Sequence, residues 1–308
     1  MSRTENRSSG LRHQAPPAPA RPRRIRVDAL IFGLPTILVF ALFSWWPLLR
    51  GLALSFQHTN FLQTTWVGLE NFNRVLSDPL LGQAVTNTAY FALLAALFGF
   101  PVPLLAATLI AEMRHSRQLA TVLVFIPVIL PPVVGILLWR EFYDPGKDGL
   151  FNSLLGVAGI GPVAWLQDSI TAMPSLVLMA TWSAFGQGTV IFVAALMSIR
   201  SELYEAAEID GASLLRRFWH ITLPQLRTVV LVLLLLQIIG TLQVFTEPFL
   251  LTGGGPENKT MTVLLLIYNY AFVYGDFGAA TALSLLLAVV LAAVSAGYLF
   301  ATRKWSRT

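Results

Sequence analysis

The chain contains no cysteine, so disulfides, thiolate nucleophiles and cysteine-type zinc sites are all excluded. Histidine is almost as scarce. His13, His58, His115 and His220 are scattered without metal-ligand spacing, which argues against a metal enzyme and predicts no metal site. Charge is the third shortage: only 12% of the 308 residues are charged and 55% are hydrophobic, where an ordinary soluble domain carries about 25% charged residues. So little charge cannot solvate a soluble surface, and the composition predicts an all-α membrane protein. The net charge of +5 lies mainly at the ends and in short loops, so nucleic acid is not an expected partner.

Long uncharged stretches fill the rest. They run over 29–49, 84–111, 118–139, 169–199, 228–246, 260–275 and 277–302. All but one supply a helix long enough for a hydrocarbon core of about 30 Å. The exception, 260–275, reaches only about 24 Å as a helix, and its aromatics suit a membrane interface. Six spans are therefore expected, with both termini on one side. That side receives sixteen of the twenty-one lysines and arginines, including seven arginines in the first 26 residues, so both termini are expected to be cytoplasmic in a bacterial plasma membrane. The Pro- and Arg-rich segment 1–26 has too little apolar surface to fold and reads as a disordered tail; 27–308 reads as one transmembrane domain.

No Asp, Glu, Lys or Arg sits at the centre of any span, which weakens ion-coupled transport and leaves the energy to come from elsewhere. The glycine-rich segment TGGGPENKT at 252–260 does not fit a phosphate-binding loop, since Asn258 precedes Lys259 and the expected topology puts the segment outside the cell; it reads as a Gly/Pro turn after the fifth span. No nucleophile–base pair or nucleotide site emerges, so the chain is expected to be neither an enzyme nor a cofactor protein.

The most charged internal stretch, EAAEIDGASLLRRF at 205–218, falls in a loop predicted to face the cytoplasm. Leu203, Ala207, Gly211, Leu214 and Phe218 recur at three or four residues and predict an apolar face. The small residues Ala206, Ala207, Gly211, Ala212 and Ser213 would let another backbone come close. Asp210-Gly211 predicts two short helices meeting at a bend, and Pro224 suits the first turn of the fifth span. Such a helix fits either the inner lipid surface or a protein partner, and its acidic first half argues against anionic lipid.

Residues 203–226, LYEAAEIDGASLLRRFWHITLPQL, resemble the EAA loop of permease subunits in binding-protein-dependent ABC importers, through Glu205, Ala206, Ala207, Gly211, Ile221, Leu223 and Pro224. GLENF at 68–72, Asn87-Thr88, FIPVILPP at 125–132, GLFN at 149–152, QVF at 243–245 and LTGGGP at 251–256 extend the resemblance along nearly the whole chain beyond the tail. They point to the carbohydrate-uptake branch, of the type of the first maltose-transporter permease. The resemblance implies a type I importer fold paired with a second homologous permease. It also implies a coupling loop (200–224) carrying Glu205, Ala206, Ala207, Asp210, Gly211 and Ala212, seated on a separate cytoplasmic ATPase dimer. An extracellular solute-binding protein would deliver the ligand. Two departures stand out: Thr246 replaces an Asp common after QxF, and Arg227-Thr228 stand where a Pro is common.

A sugar path needs neutral hydrogen-bonding groups and ring faces. Ser183 and Gln187 of the fourth span, with Gln237, Thr241 and Gln243 of the fifth, supply the former. Polar groups in spans also serve as hydrogen-bond glue between helices, and spacing alone does not separate the two roles. A glycerol-phosphate or polyol ligand is the alternative within the class, and an ion-coupled secondary transporter the alternative outside it. The spans offer no basic residue to a phosphate.

Overall fold

The computed structural model describes residues 27–59, 63–113, 116–303 and 305, so the tail expected over 1–26 lies outside it. Two compact units are present, Met1–Arg50 and Gly51–Thr308. In the first, the helix Val27–Phe40 passes into a π turn over Ala41–Trp45. The second holds the helical bundle and a two-stranded hairpin, Gln57–Thr59 against Thr64–Trp66.

Five helices among the described residues are long and apolar enough to cross a membrane: Phe32–Leu54, Pro79–Glu112, Ala172–Leu196, Leu214–Leu242 and Phe277–Thr302. A bent pair, Arg117–Ile129 and Pro132–Phe142, completes six spans when counted as one. Numbered in chain order, the pair is the third. Its 101° bend replaces the straight helix expected over 118–139. The cause is local: Leu130 and Pro131 each precede a proline and are held extended (ψ 131° and 135°), and neither Pro131 nor Pro132 has an N–H to continue the ladder. The apolar segment Val263–Val273 is short, in keeping with a segment that does not cross.

The fifth span departs from expectation at its ends. Its α-helix proper starts at Leu223 and holds Pro224 in its first turn, as expected, but the helical run continues upstream to Leu214. A π turn over Phe218–Thr222 accommodates the proline, with the Leu223 N–H reaching back to the Phe218 carbonyl. The wider turn relieves the clash between the proline ring and the preceding carbonyls. The same device precedes Pro101, where Phe100 N–H meets the Ala95 carbonyl at 2.8 Å, and Pro47, where Trp46 N–H meets the Ala41 carbonyl. At its far end the helix stops at Leu242, short of the expected Thr246. Two tightened bonds, Gln243 N–H to Gly240 and Val244 N–H to Thr241, close the last turn.

The fourth span is central and packs against the second and third. Small residues permit the approach: a Cβ on Gly186 would overlap the Val124 carbonyl, and one on Gly188 would lie 3.0 Å from Pro103. Large apolar side chains such as Phe98, Leu109, Val122 and Val290 face outward, as lipid requires.

Buried amides brace the loops at one end of the bundle. Asn71 of GLENF donates to the carbonyls of Ser55 and Gln57 at 3.0 and 2.9 Å. Asn87 donates to Asn258 and Met261 across the GGGP turn at 2.7 and 2.9 Å. Asn152 of GLFN accepts from Val163 N–H and the Trp165 indole, both at 3.0 Å. Arg74 pairs with Asp276, and the Tyr270 hydroxyl donates to Asp78. The asparagines of GLENF, Asn87-Thr88 and GLFN thus bond buried groups of the long loops, chiefly backbone.

Candidate functional site: a polar cavity and an exposed helical bend

A cavity of about 550 Å³ lies among the second, fourth and fifth spans and the segment that follows the fifth. A smaller one of about 270 Å³ lies between the bent third span and the fourth. Volumes of this order suit a small organic ligand. The larger is lined by Gln187, Gln237, Thr241 and Gln243, and the smaller by Ser183 and Gln187, so all five polar residues singled out in the spans face one or both spaces.

Hydrogen bonding divides them. Gln237 donates to the Ala95 carbonyl at 2.7 Å, an oxygen exposed by the π turn that also accepts from Phe100. Thr241 donates to the Gln237 carbonyl at 2.9 Å and Gln243 to the Ile239 carbonyl at 3.1 Å. Ser183 has only a long contact of 3.9 Å to the Met179 sulfur. The Gln187 amide has no hydrogen-bond partner among the described residues. Gln237 therefore ties the fifth span to the second, whereas Gln187 is available to a ligand. Trp182 adds a ring to the smaller cavity, held 5.6 Å from Trp139 in an aromatic cluster.

Sequence reasoning missed Glu247. With the fifth span extended to Thr246, Glu247 belonged to an outer loop. Because the helix ends at Leu242, residues 243–247 instead line the larger cavity, and Glu247 borders both spaces together with Gln187 and Thr246. Burial raises its carboxyl above the ordinary pKa, opposed in part by a hydrogen bond from its own backbone. The available signal was a lone carboxylate four residues after Gln243, in the stretch where Thr246 departs from the pattern.

At the opposite end, Ser201–Ile209 and Leu214–Arg217 are two short helices, with the turn between them at Asp210-Gly211. Gly211 has φ +70°, a left-handed conformation that glycine adopts freely. Its N–H bonds the Glu208 carbonyl at 3.0 Å and the Ala212 N–H bonds the Ala207 carbonyl at 2.9 Å, the paired bonds of a Schellman ending. Ser213 then caps the second helix by accepting from Arg216 N–H. Glu205, Ala206, Asp210 and Gly211 are exposed, while Ala207 and Ala212 are half-buried.

The expected apolar face is corrected by this arrangement. Leu203 and Ala207 are half-buried, as is Tyr204, whose hydroxyl meets that of Thr222 at 2.9 Å. The bend breaks the periodicity, and the apolar side chains left exposed are Ile209 (87%), Leu214 and Leu215. Arg217 is held 3.9 Å from Glu112, fastening the second short helix to the end of the second span.

The family model for the binding-protein-dependent transport system inner membrane component matches residues 99–306. The trehalose/maltose transport system permease protein MalF of Thermococcus litoralis is 34% identical over 86% of this chain and 90% of its own. The arabinooligosaccharides transport system permease protein AraP of Bacillus subtilis is 31% identical over 86% and 85%. The sn-glycerol-3-phosphate transport system permease protein UgpA of Brucella suis is 34% identical over 85% and 90%. Among solved structures, a chain of a bacterial alginate ABC transporter, crystallised with its alginate pentasaccharide-bound periplasmic protein, superposes with a TM-score of 0.81 at 27% identity. It covers 92% of this chain and 97% of that one. With the family model covering more than half of the chain and the whole-length superposition on a solved transporter chain, the chain belongs to the inner membrane permeases of binding-protein-dependent ABC transport systems, with their type I importer fold.

Proposed function

We propose that this chain is one permease half of an ATP-driven importer for a sugar or oligosaccharide. The observation that carries the reading is the cavity among the second, fourth and fifth spans, whose largely apolar lining carries the side chains of Gln187, Gln237, Thr241 and Gln243 together with aromatic rings, with Glu247 as its one charged residue and no Lys, Arg or His. Relatives named for trehalose/maltose and arabinooligosaccharides support the same substrate class. In this reading Ser183, Gln187, Gln237, Thr241 and Gln243 form the ligand path. Gln237 also fixes the wall through its bond to Ala95.

The bend carrying Glu205, Ala206, Ala207, Asp210, Gly211 and Ala212 serves as the coupling element. Its exposed small and apolar residues dock on a separate ATPase dimer, whose closure moves the fifth span through the continuous helix Leu214–Leu242. A second, homologous permease completes the pathway, and a solute-binding protein delivers the ligand at the braced loops; the alginate transporter, solved with its periplasmic protein, supports that partner. Both termini then lie in the cytoplasm, with the basic tail preceding the transmembrane domain.

Reconstitution in proteoliposomes tests the proposal. The permease pair, ATPase and binding protein are expected to accumulate labelled maltotriose or arabinotriose only with ATP on the ATPase side. Uptake by the permeases alone, driven by an ion gradient, would refute the assignment.

A further inference from the structure

Glu247 is the one ionisable residue that lines either cavity, and it lines both. Its side chain is half-buried. It has no salt bridge and no side-chain hydrogen-bond partner among the described residues. A carboxylate with no cationic partner beside a largely apolar lining is costly to keep, which points to a ligand as its partner. Gln187, the amide left free by the helical network, shares the same junction, as does Thr246.

The chemistry of this trio is asymmetric. A carboxylate has two oxygens that only accept, so it suits a pair of adjacent hydroxyls, and bonds to an ionised acceptor are shorter and stronger than neutral ones. Gln187 supplies both donors and an acceptor for the next ligand oxygen. A ligand bearing phosphate or carboxylate meets a like charge with no cation in either lining. At an effective dielectric of about 20, two such charges about 8 Å apart disfavour one another by a factor of about 30.

We propose that Glu247 is the charge-selecting residue of the ligand path, accepting the hydroxyls of uncharged polyhydroxylated ligands and excluding phosphorylated and uronic ones. The inference rests on the carbohydrate reading and narrows it. Sequence identity alone does not decide the charge of the ligand, since relatives named for trehalose/maltose and for sn-glycerol-3-phosphate are both 34% identical to this chain.

The test uses the assembled importer, permease pair with ATPase, in nanodiscs at pH 8. Binding is read by equilibrium dialysis of radiolabelled ligand. Maltotriose, its terminal aldonate and sn-glycerol-3-phosphate are titrated into wild type, Glu247→Gln and Glu247→Asp. Wild type and Glu247→Asp are expected to bind maltotriose at least tenfold more tightly than the aldonate and to ignore the phosphate. Glu247→Gln is expected to bring the aldonate within about threefold of maltotriose. An unchanged preference in Glu247→Gln, or its loss in the charge-retaining Glu247→Asp, overturns the inference and leaves the carbohydrate reading in place. If wild type binds none of the sugars, the carbohydrate reading fails and this inference with it.

Discussion

Gly211 offers the sharpest perturbation of the coupling bend. It adopts φ +70°, and a Cβ built there would meet no heavy atom within 4 Å. A side chain therefore costs only backbone strain, with no steric term to confuse it. For a left-handed L-residue that strain is about 1 kcal/mol for alanine and about 2 kcal/mol for the β-branched valine, and well under 1 for asparagine or aspartate. Since 1.4 kcal/mol is tenfold in an equilibrium constant, valine should depopulate the bend by about thirtyfold and asparagine by only a few-fold. The assay is sugar accumulated per ATP hydrolysed in proteoliposomes, with the thermal midpoint of the purified complex measured in parallel. The expected ranking for coupling is glycine, asparagine, alanine, valine in falling order, at nearly constant thermal stability. Aspartate should fall below asparagine only if added charge impairs docking. Valine coupling as well as glycine would refute the argument.

Three further perturbations follow from the packing and the cavity. Gly186→Ala places a methyl group against the Val124 carbonyl and the Val128 side chain, so the third and fourth spans must separate; a loss of about 1–3 kcal/mol is expected in the thermal unfolding of the complex, and an unchanged midpoint would show that the spans yield freely. Asn71→Ala removes two buried bonds to the carbonyls of Ser55 and Gln57, and about 1–3 kcal/mol should be lost, seen as faster proteolysis of the 55–72 segment. For Glu247 the sign is set by burial: a carboxyl whose folded pKa is raised is disfavoured in its charged form, so stability present at low pH is lost as pH rises through the folded value. Glu247→Gln should therefore raise the thermal midpoint at pH 8 and hardly at pH 4; a pH-independent difference would contradict the assignment of cause.

The spans were legible because hydrophobic run length is a one-dimensional quantity, and the shortness of the uncharged run at 260–275 kept it from being read as a seventh. The bend at Asp210-Gly211 was legible for a similar reason, since a left-handed residue before a polar cap is local chemistry. Helix ends were not. The π turns before Pro47, Pro101 and Pro224 show the chain absorbing prolines that otherwise signal a helix start. The coupling stripe was misread because a period of 3.6 residues was carried across a turn that resets the phase, which buries part of Leu203 and leaves Ile209 outside.

The sequence by itself determined the membrane-spanning class, the six apolar segments, the bend at Asp210-Gly211 and a short set of neutral polar residues, because each depends on composition or on neighbours within a few residues. Only the tertiary structure decided which of those polar groups are spent on the bundle and which stay free. Gln237 is engaged because a π turn bares the Ala95 carbonyl. Gln187 stays free because the described fold brings no partner to it. Glu247 joins the cavity because the fifth helix ends at Leu242, early enough for residues 243–247 to line the larger space and for Thr246 and Glu247 to border both. Hydrogen-bond satisfaction is a property of groups distant in sequence, so no reading along the chain could assign it.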